Sequence, residues 1–244
     1  ELYQRGILTK EDLGMELKWG DVKGFEALAR KITKREGIGD ILAEGTYRAA
    51  LRISEMKKTD ATKYAVHVKG VEIGAHGTRS GMDMNPIGYA ANPQSGDHTS
   101  SVRDGYNDMT WSVFCDSAVV CGFCFYDDLI WDFARAVTGW DVTRHIWCTE
   151  QGPRIMALQQ AALLLGGPDI VWDPDKDFDN PPRYYEPLPN GPYKGHTTDR
   201  KVVEEQKRNY YKTMGWDERG IPTKETLERF GLGDVDPYMR KLRR

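Results

Sequence analysis

The chain has 244 residues, 39% hydrophobic and 29% charged, enough for one large or two small domains with a real core. Its 34 basic and 37 acidic residues leave a net charge of −3, without the basic excess that a nucleic-acid-binding domain shows, so no nucleic-acid partner is expected. No apolar run approaches the roughly 18 residues of a membrane span; the longest, AALLLGG at 161–167, is helix-core material.

The sequence opens on ELYQRGILTK, with no methionine, no charged–apolar–small signal pattern, and an amphipathic pattern already running at Leu2, Ile7 and Leu8. The expectation is a chain whose N-terminal portion lies outside this sequence. Thr9-Lys-Glu-Asp12 fits a helix-starting capping box. In DVKGFEALARKITKREGIGD, Phe25, Leu28, Ala29 and Ile32 recur at i, i+3, i+4, i+7, one apolar helix face, with Gly37 as its stop. A further helix follows, with Ile41, Leu42, Tyr47, Ala50 and Leu51 on one side, then a polar loop over 57–62. Tyr64, Val66 and Val68 alternate as a short strand. From 70 to 105 the composition is rich in Gly, Asn, Asp, Pro and Ser, with a brief helical possibility at 86–91. A long irregular stretch of this kind is commonly functional. Helices are predicted again over 109–120, 127–139 and 142–165, with Pro153 as a kink or a new first turn. Residues 168–200, rich in Pro and Asp, suggest an extended surface arm. A last long helix covers 201–214, and Thr223 caps a short one. GILTKEDLG and GIPTKETLERFGLG share a G-I-x-T-K-E pattern, better explained by two similarly capped helices than by a repeat. Trp111, Trp131, Trp140 and Trp147 lie on helical segments, where core packing is the default.

Three of the four cysteines fall in CDSAVVCGFC, residues 115–124. Four are too few for a secreted disulfide scaffold, which favours a reducing cytoplasm. The spacing alone leaves three readings open. A zinc site could use Cys121, Cys124, His145 and Cys148. A four-thiolate iron–sulfur site could use all four cysteines. Or some are plain buried small hydrophobes.

Several stretches carry a resemblance: ELYQRGILTKEDLGMELKWGD, REGIGDILAEGTYRAA, YAVHVKGVEI, EPLPNGPYKGHTTD and YYKTMGWDERGIPTKETLERFGL. In this order they resemble the aldehyde ferredoxin oxidoreductase family, over nearly the whole chain but only the C-terminal half or less of a member. The resemblance implies a mainly α fold: helical C-terminal domains with long irregular loops and few short strands. It implies the end of a helical middle domain over 1–68 and a C-terminal helical domain over 69–244 that includes the 168–200 arm. It also implies two cofactors, a tungstopterin (two pterins holding tungsten, or molybdenum) and a [4Fe-4S] cluster. The family motif Asp-x-x-Gly-Leu-Cys aligns with Asp116-Ser-Ala-Val-Val-Cys121. Asp116, with Ser117 and the backbone at Val120, would bind a pterin, and Cys121 would be one cluster ligand. Val119 stands where the family has glycine, and a β-branched residue takes glycine-type angles only with strain. The other cluster cysteines belong to a C-x-x-C-x-x-x-C run that this sequence lacks. Cys115 and Cys124 are then neighbours of the ligand, and Cys148 a core residue.

His98, in ANPQSGDHTS, aligns with a family histidine near the metal. An imidazole there can donate a hydrogen bond to substrate and carry a proton near pH 7; the plain alternative is a loop histidine bonded to backbone. Arg79, in HGTRSG, aligns with a family arginine that could hold a pterin phosphate bidentately or form a structural ion pair. The implied function is oxidation of an aldehyde to a carboxylic acid, with electrons leaving through the cluster to ferredoxin or a partner subunit, in an oligomeric assembly. A related possibility is the tungsten subunit of benzoyl-CoA reductase, which reduces an aromatic thioester. From another class comes a non-catalytic or zinc-stabilised helical interaction module.

Overall fold

The computed structural model describes residues 1–74, 87–98, 106–123 and 129–243. Helix α1 (Lys10–Leu13) starts as its capping box predicts: the Thr9 hydroxyl accepts from Asp12 N while the Asp12 carboxylate accepts from Thr9 N at 2.7 Å. Asp21 caps α2 (Val22–Lys34), accepting from Gly24 N at 3.0 Å. This helix stops short of Gly37. Arg35 takes the left-handed conformation (φ 54°) and Glu36 N closes back on the Lys31 carbonyl at 3.0 Å. Gly37 instead precedes α3 (Ile38–Leu42). In α4 (Thr46–Lys57) the buried face is Ala49, Ala50 and Ile53, and Leu51, predicted to join it, is 39% exposed. These helices gather around Leu8, Leu13, Ile38, Ile53 and Ala61. Phe25 fits the periodicity of the α2 core face yet lies exposed, lining an open apolar groove with Trp19 and Val22.

The expected strand is shorter than its alternation suggests, because Tyr64 ends a 3₁₀ turn. Strand β1 (His67–Val68) pairs antiparallel with β2 (Val71–Glu72), His67 opposite Glu72 and Val68 opposite Val71. Lys69 and Gly70 join them as a tight two-residue turn, both with positive φ (47° and 81°). The segment 87–98 that packs on this hairpin forms turns rather than the suggested helix: Ala91 N reaches Ile87 O at 3.1 Å and Ser95 N reaches Asn92 O at 3.0 Å. Pro86 lies outside the described residues.

The largest core joins α5 (Tyr106–Ala118), α6 (Leu129–Thr138) and α8 (Gly152–Leu165), while the short α7 (Arg144–Ile146) buries none of its own residues. Phe114 is its aromatic hub, 4.2 Å from Trp131 and 5.0 Å from Trp147 between ring centroids. A π-helical turn, Trp147–Gln151, links α7 to α8, and Pro153 sits in the first turn of α8, where its missing N–H costs nothing. Trp140 departs from the core expectation at 71% exposed; it follows the break at Gly139, off the helix face that buries Ile130 and Trp131.

The 168–200 stretch is less of an arm than its composition suggests. It contains α9 (Pro174–Asp177) and a 3₁₀ turn at Pro182–Tyr185, and it buries Phe178, Asn180 and Tyr184. Lys207 holds the Phe178 carbonyl at 2.7 Å. Its buried residues fall between 178 and 184, and the portion beyond Tyr185 runs mostly on the surface. Helix α10 (Arg200–Met214), capped by Asp199, lays Val203, Tyr210, Tyr211 and Met214 against the α8 core. Thr223 caps α11 (Lys224–Arg229), and α12 (Asp236–Met239) closes the chain's helical part. The architecture is mainly α, as expected, and no helix of the described residues is long and apolar enough to cross a membrane.

Candidate functional site

The end of α5 collects most of the candidate residues. Val113, Phe114 and Cys115 face the core, and from Asp116 onward the side chains turn to the surface. The helix closes in a Schellman arrangement: Val120 N donates to Cys115 O at 2.8 Å and Val119 N to Asp116 O at 3.4 Å. Val119 takes the left-handed conformation this closure needs, with φ 57°, and its side chain is 92% exposed. The valine therefore adopts the glycine-type angle at a cost in backbone strain. The reversal leaves Asp116 and Ser117 exposed on the last turn and puts the Cys121 thiol and Phe123 on the surface just beyond it. Val120 turns back, half-buried against the core.

The cysteines separate by environment. Cys115 is buried, and burial, reinforced by the charges of Asp116 and Cys121 nearby, pushes its thiol up from the usual range. It is a small core residue with little thiolate. Cys148 is half-buried and accepts from Thr110 Oγ1 at 3.2 Å. Cys121 is the exposed thiol among those described, and Cys124 lies outside the described residues. Cys121, His145 and Cys148 do not gather into a metal-holding group among the described residues, so three members of the zinc quartet are not brought together.

The second component is the 87–98 segment. Gln94 Nε2 donates to Asp116 Oδ2 at 3.2 Å, which ties this segment to the end of α5. His98 lies four residues further along the same segment and is exposed. Asn92 Oδ1 accepts from Gln94 N at 2.8 Å, shaping the turn that presents the glutamine. Beneath it, the buried Lys69 donates to the Ala90 carbonyl at 2.9 Å. The structure thus links Asp116 with the segment of His98 and sets Cys121 just past it. Arg79 lies outside the described residues. Gln94 and Lys69 were not singled out from the sequence. Lys-Gly between two short apolar stretches was the available sign of the turn, and nothing local marks a glutamine as the partner of a carboxylate 22 positions on.

An exposed carboxylate and one exposed thiol, beside a segment that carries an imidazole, can take part in a larger site. They do not close a metal site alone, since no group of three or more His, Cys, Asp or Glu converges among the described residues.

Comparison with known proteins gives this arrangement its context. The family model described as "Aldehyde ferredoxin oxidoreductase, domains 2 & 3" matches residues 1–232. The chain is 52% identical over 251 residues to the "Aliphatic sulfonate oxidoreductase, WOR-like subunit" of Pyrococcus furiosus, covering 100% of this chain and 40% of that protein. It is 32% identical over 265 residues to the "Tungsten-containing aldehyde ferredoxin oxidoreductase" of the same organism, covering 96% of this chain and 41% of the relative. Among solved structures it resembles a chain of the "Active site complex BamBC of Benzoyl Coenzyme A reductase in complex with 1,5 Dienoyl-CoA", with a TM-score of 0.65 at 21% identity, over 98% of this chain and 43% of the other. That likeness shows a shared fold. The chain spans about two fifths of the length of the curated relatives it matches.

Proposed function

Since the chain belongs to the aldehyde ferredoxin oxidoreductase family, we propose that it forms the C-terminal part of a tungstopterin oxidoreductase of a reducing cytoplasm. The reaction would oxidise an aldehyde to its carboxylic acid and deliver electrons to ferredoxin or a partner subunit. When bound, the tungsten–pterin centre would supply the two-electron chemistry and a [4Fe-4S] cluster the one-electron outlet. The observation that carries this reading is the left-handed closure at Val119, which sets the Asp116 carboxylate and the Cys121 thiol on the surface on either side of one reversal.

The residues present fit a partial shell. Asp116 offers carboxylate acceptors to the N–H donors of a pterin, and Ser117 and the backbone at Val120 would line the same contact. Cys121 offers a single thiolate, with its companion ligands on polypeptide outside this sequence. His98, exposed on the adjoining segment, would be the proton relay to the reacting substrate. Arg79 would add a cation for a phosphate or carboxylate.

A second reading has its own support. Identity to the WOR-like subunit of an aliphatic sulfonate oxidoreductase is 52%, against 32% to a tungsten-containing aldehyde ferredoxin oxidoreductase, which favours an aliphatic sulfonate as substrate. The test is tungsten and iron analysis of the complete purified protein, followed by assays with aliphatic aldehydes, aliphatic sulfonates and an aromatic thioester. Tungsten with aldehyde turnover supports the first reading, and sulfonate turnover alone moves the substrate to the second. A preparation free of tungsten and iron, inactive with all three, overturns both.

A further inference from the structure

Lys69 is a lysine in an unusual place. It is the first residue of the two-residue turn between β1 and β2, at φ 47°, a position that favours Gly, Asn or Asp. Its side chain does not reach for solvent, and the residue is only 4% exposed. Nζ donates to the Ala90 carbonyl at 2.9 Å and the Tyr89 carbonyl at 3.4 Å, and it lies 4.5 Å from the centroid of the Phe178 ring. Two carbonyls and an aromatic face thus replace water around a buried amine. The charged groups that act on it are Lys207 of α10 and Asp177 of α9. Burial first, and then the Lys207 charge, pull its pKa down to about 7, while Asp177 pulls it up.

What this amine grips is the 87–98 segment. The same segment also lies close against the hairpin at Gly96, where an added Cβ would lie 2.2 Å from the Val71 carbonyl oxygen. Between these two contacts, Gln94 reaches across to α5 and donates to Asp116 Oδ2 at 3.2 Å. We propose that Lys69 is a positioning residue: by clamping the carbonyls of Tyr89 and Ala90, it fixes the segment from which Gln94 orients the Asp116 carboxylate and along which His98 lies. The bond from Gln94 occupies one carboxylate oxygen and so sets the direction in which Oδ1 faces. This inference rests on the reading of Asp116 as a cofactor ligand.

The experiment uses the complete holoprotein with Lys69→Met, Gln94→Leu, the double variant, and Asp116→Asn. Tungsten retention after exhaustive dialysis is read together with hydrogen exchange over 87–98. Lys69→Met is expected to speed exchange in that segment. Both single variants should lower retention by at least about tenfold, the scale of a lost supporting contact. Because the two act on one step, the double variant should be no worse than the more damaging single one. Unchanged exchange and retention in Lys69→Met, or fully additive losses, overturns the proposal. Gln94 is only half-buried, so Gln94→Leu decides the case in which Lys69→Met does not fold: wild-type retention there also overturns it. Asp116→Asn keeps the two ideas apart. If it retains tungsten normally, the reading of Asp116 fails; if it loses tungsten while the other variants keep theirs, only the role of Lys69 fails.

Discussion

Val119 carries a left-handed backbone on a β-branched side chain, which is disfavoured by about 1–2 kcal/mol relative to the right-handed region. Its isopropyl group is 92% exposed, so its removal forfeits little packing. Val119→Gly should therefore raise the unfolding free energy by about 1 kcal/mol, allowing for the added freedom of glycine in the unfolded chain. A urea titration checks this, and a clear loss of stability would mean that residue 119 does not turn left-handed. The cysteines make a second residue-scale prediction. Under native conditions without cofactor, an alkylating reagent should label Cys121 rapidly and leave Cys115 unlabelled until the chain unfolds, since burial suppresses its thiolate. Peptide-level mass spectrometry reads the two sites separately. The sequence showed three cysteines in ten residues but not which of them the helix would turn inward; that depends on where α5 stops, and Val119 hid the stop because valine is not a helix terminator.

At the level of elements, the caps were legible and the hairpin was not. Thr9 and Thr223 announce their helices because a hydroxyl before an amphipathic run does the same local job everywhere. The hairpin has only two residues per strand, too few for alternation to mark. The 168–200 stretch was legible only in part: prolines and aspartates mark its exposed portion beyond Tyr185, while Phe178 and Tyr184 anchor its middle. The candidate site shares this split: Asp116 and Cys121 were visible through a motif, whereas Gln94 and Lys69 meet it only through long-range contacts. The close approach of Gly96 to β2 yields a prediction at this scale. Gly96→Ala would drive a methyl group to 2.2 Å from the Val71 carbonyl oxygen, so the backbones must separate. A loss of about 1–3 kcal/mol in thermal or urea unfolding is expected. A variant as stable as the wild type would show that the segment does not press on the hairpin.

For the whole molecule, the buried Lys69 gives stability a pH dependence of defined sign. Its folded pKa, about 7, lies below the ordinary lysine value of about 10.4. Below pH 7 both states are protonated and the folded state carries the full burden of the buried charge. Between about 7 and about 10 the unfolded chain binds a proton that the folded chain does not, so stability rises with pH, by at most about 1.4 kcal/mol per unit. Tyr185 and Tyr211, whose hydroxyls are pushed up by burial, act in the opposite direction only at more alkaline pH, where unfolded phenols ionise. Urea unfolding between pH 7 and about 9.5 should show this rise in the wild type and a flatter profile in Lys69→Met; parallel profiles would contradict a buried amine with a lowered pKa.

The helical architecture and the family membership were both readable at this scale, because helix caps and motif order survive where individual loops diverge. In the proposed function Cys121 ligates iron shared with polypeptide beyond this sequence. Diffraction from the complete protein at the iron absorption edge tests it most directly. An anomalous iron peak at bonding distance from the Cys121 sulfur is the expected result; a Cys121 sulfur with no iron beside it, in crystals that contain iron elsewhere, would rule out this ligation.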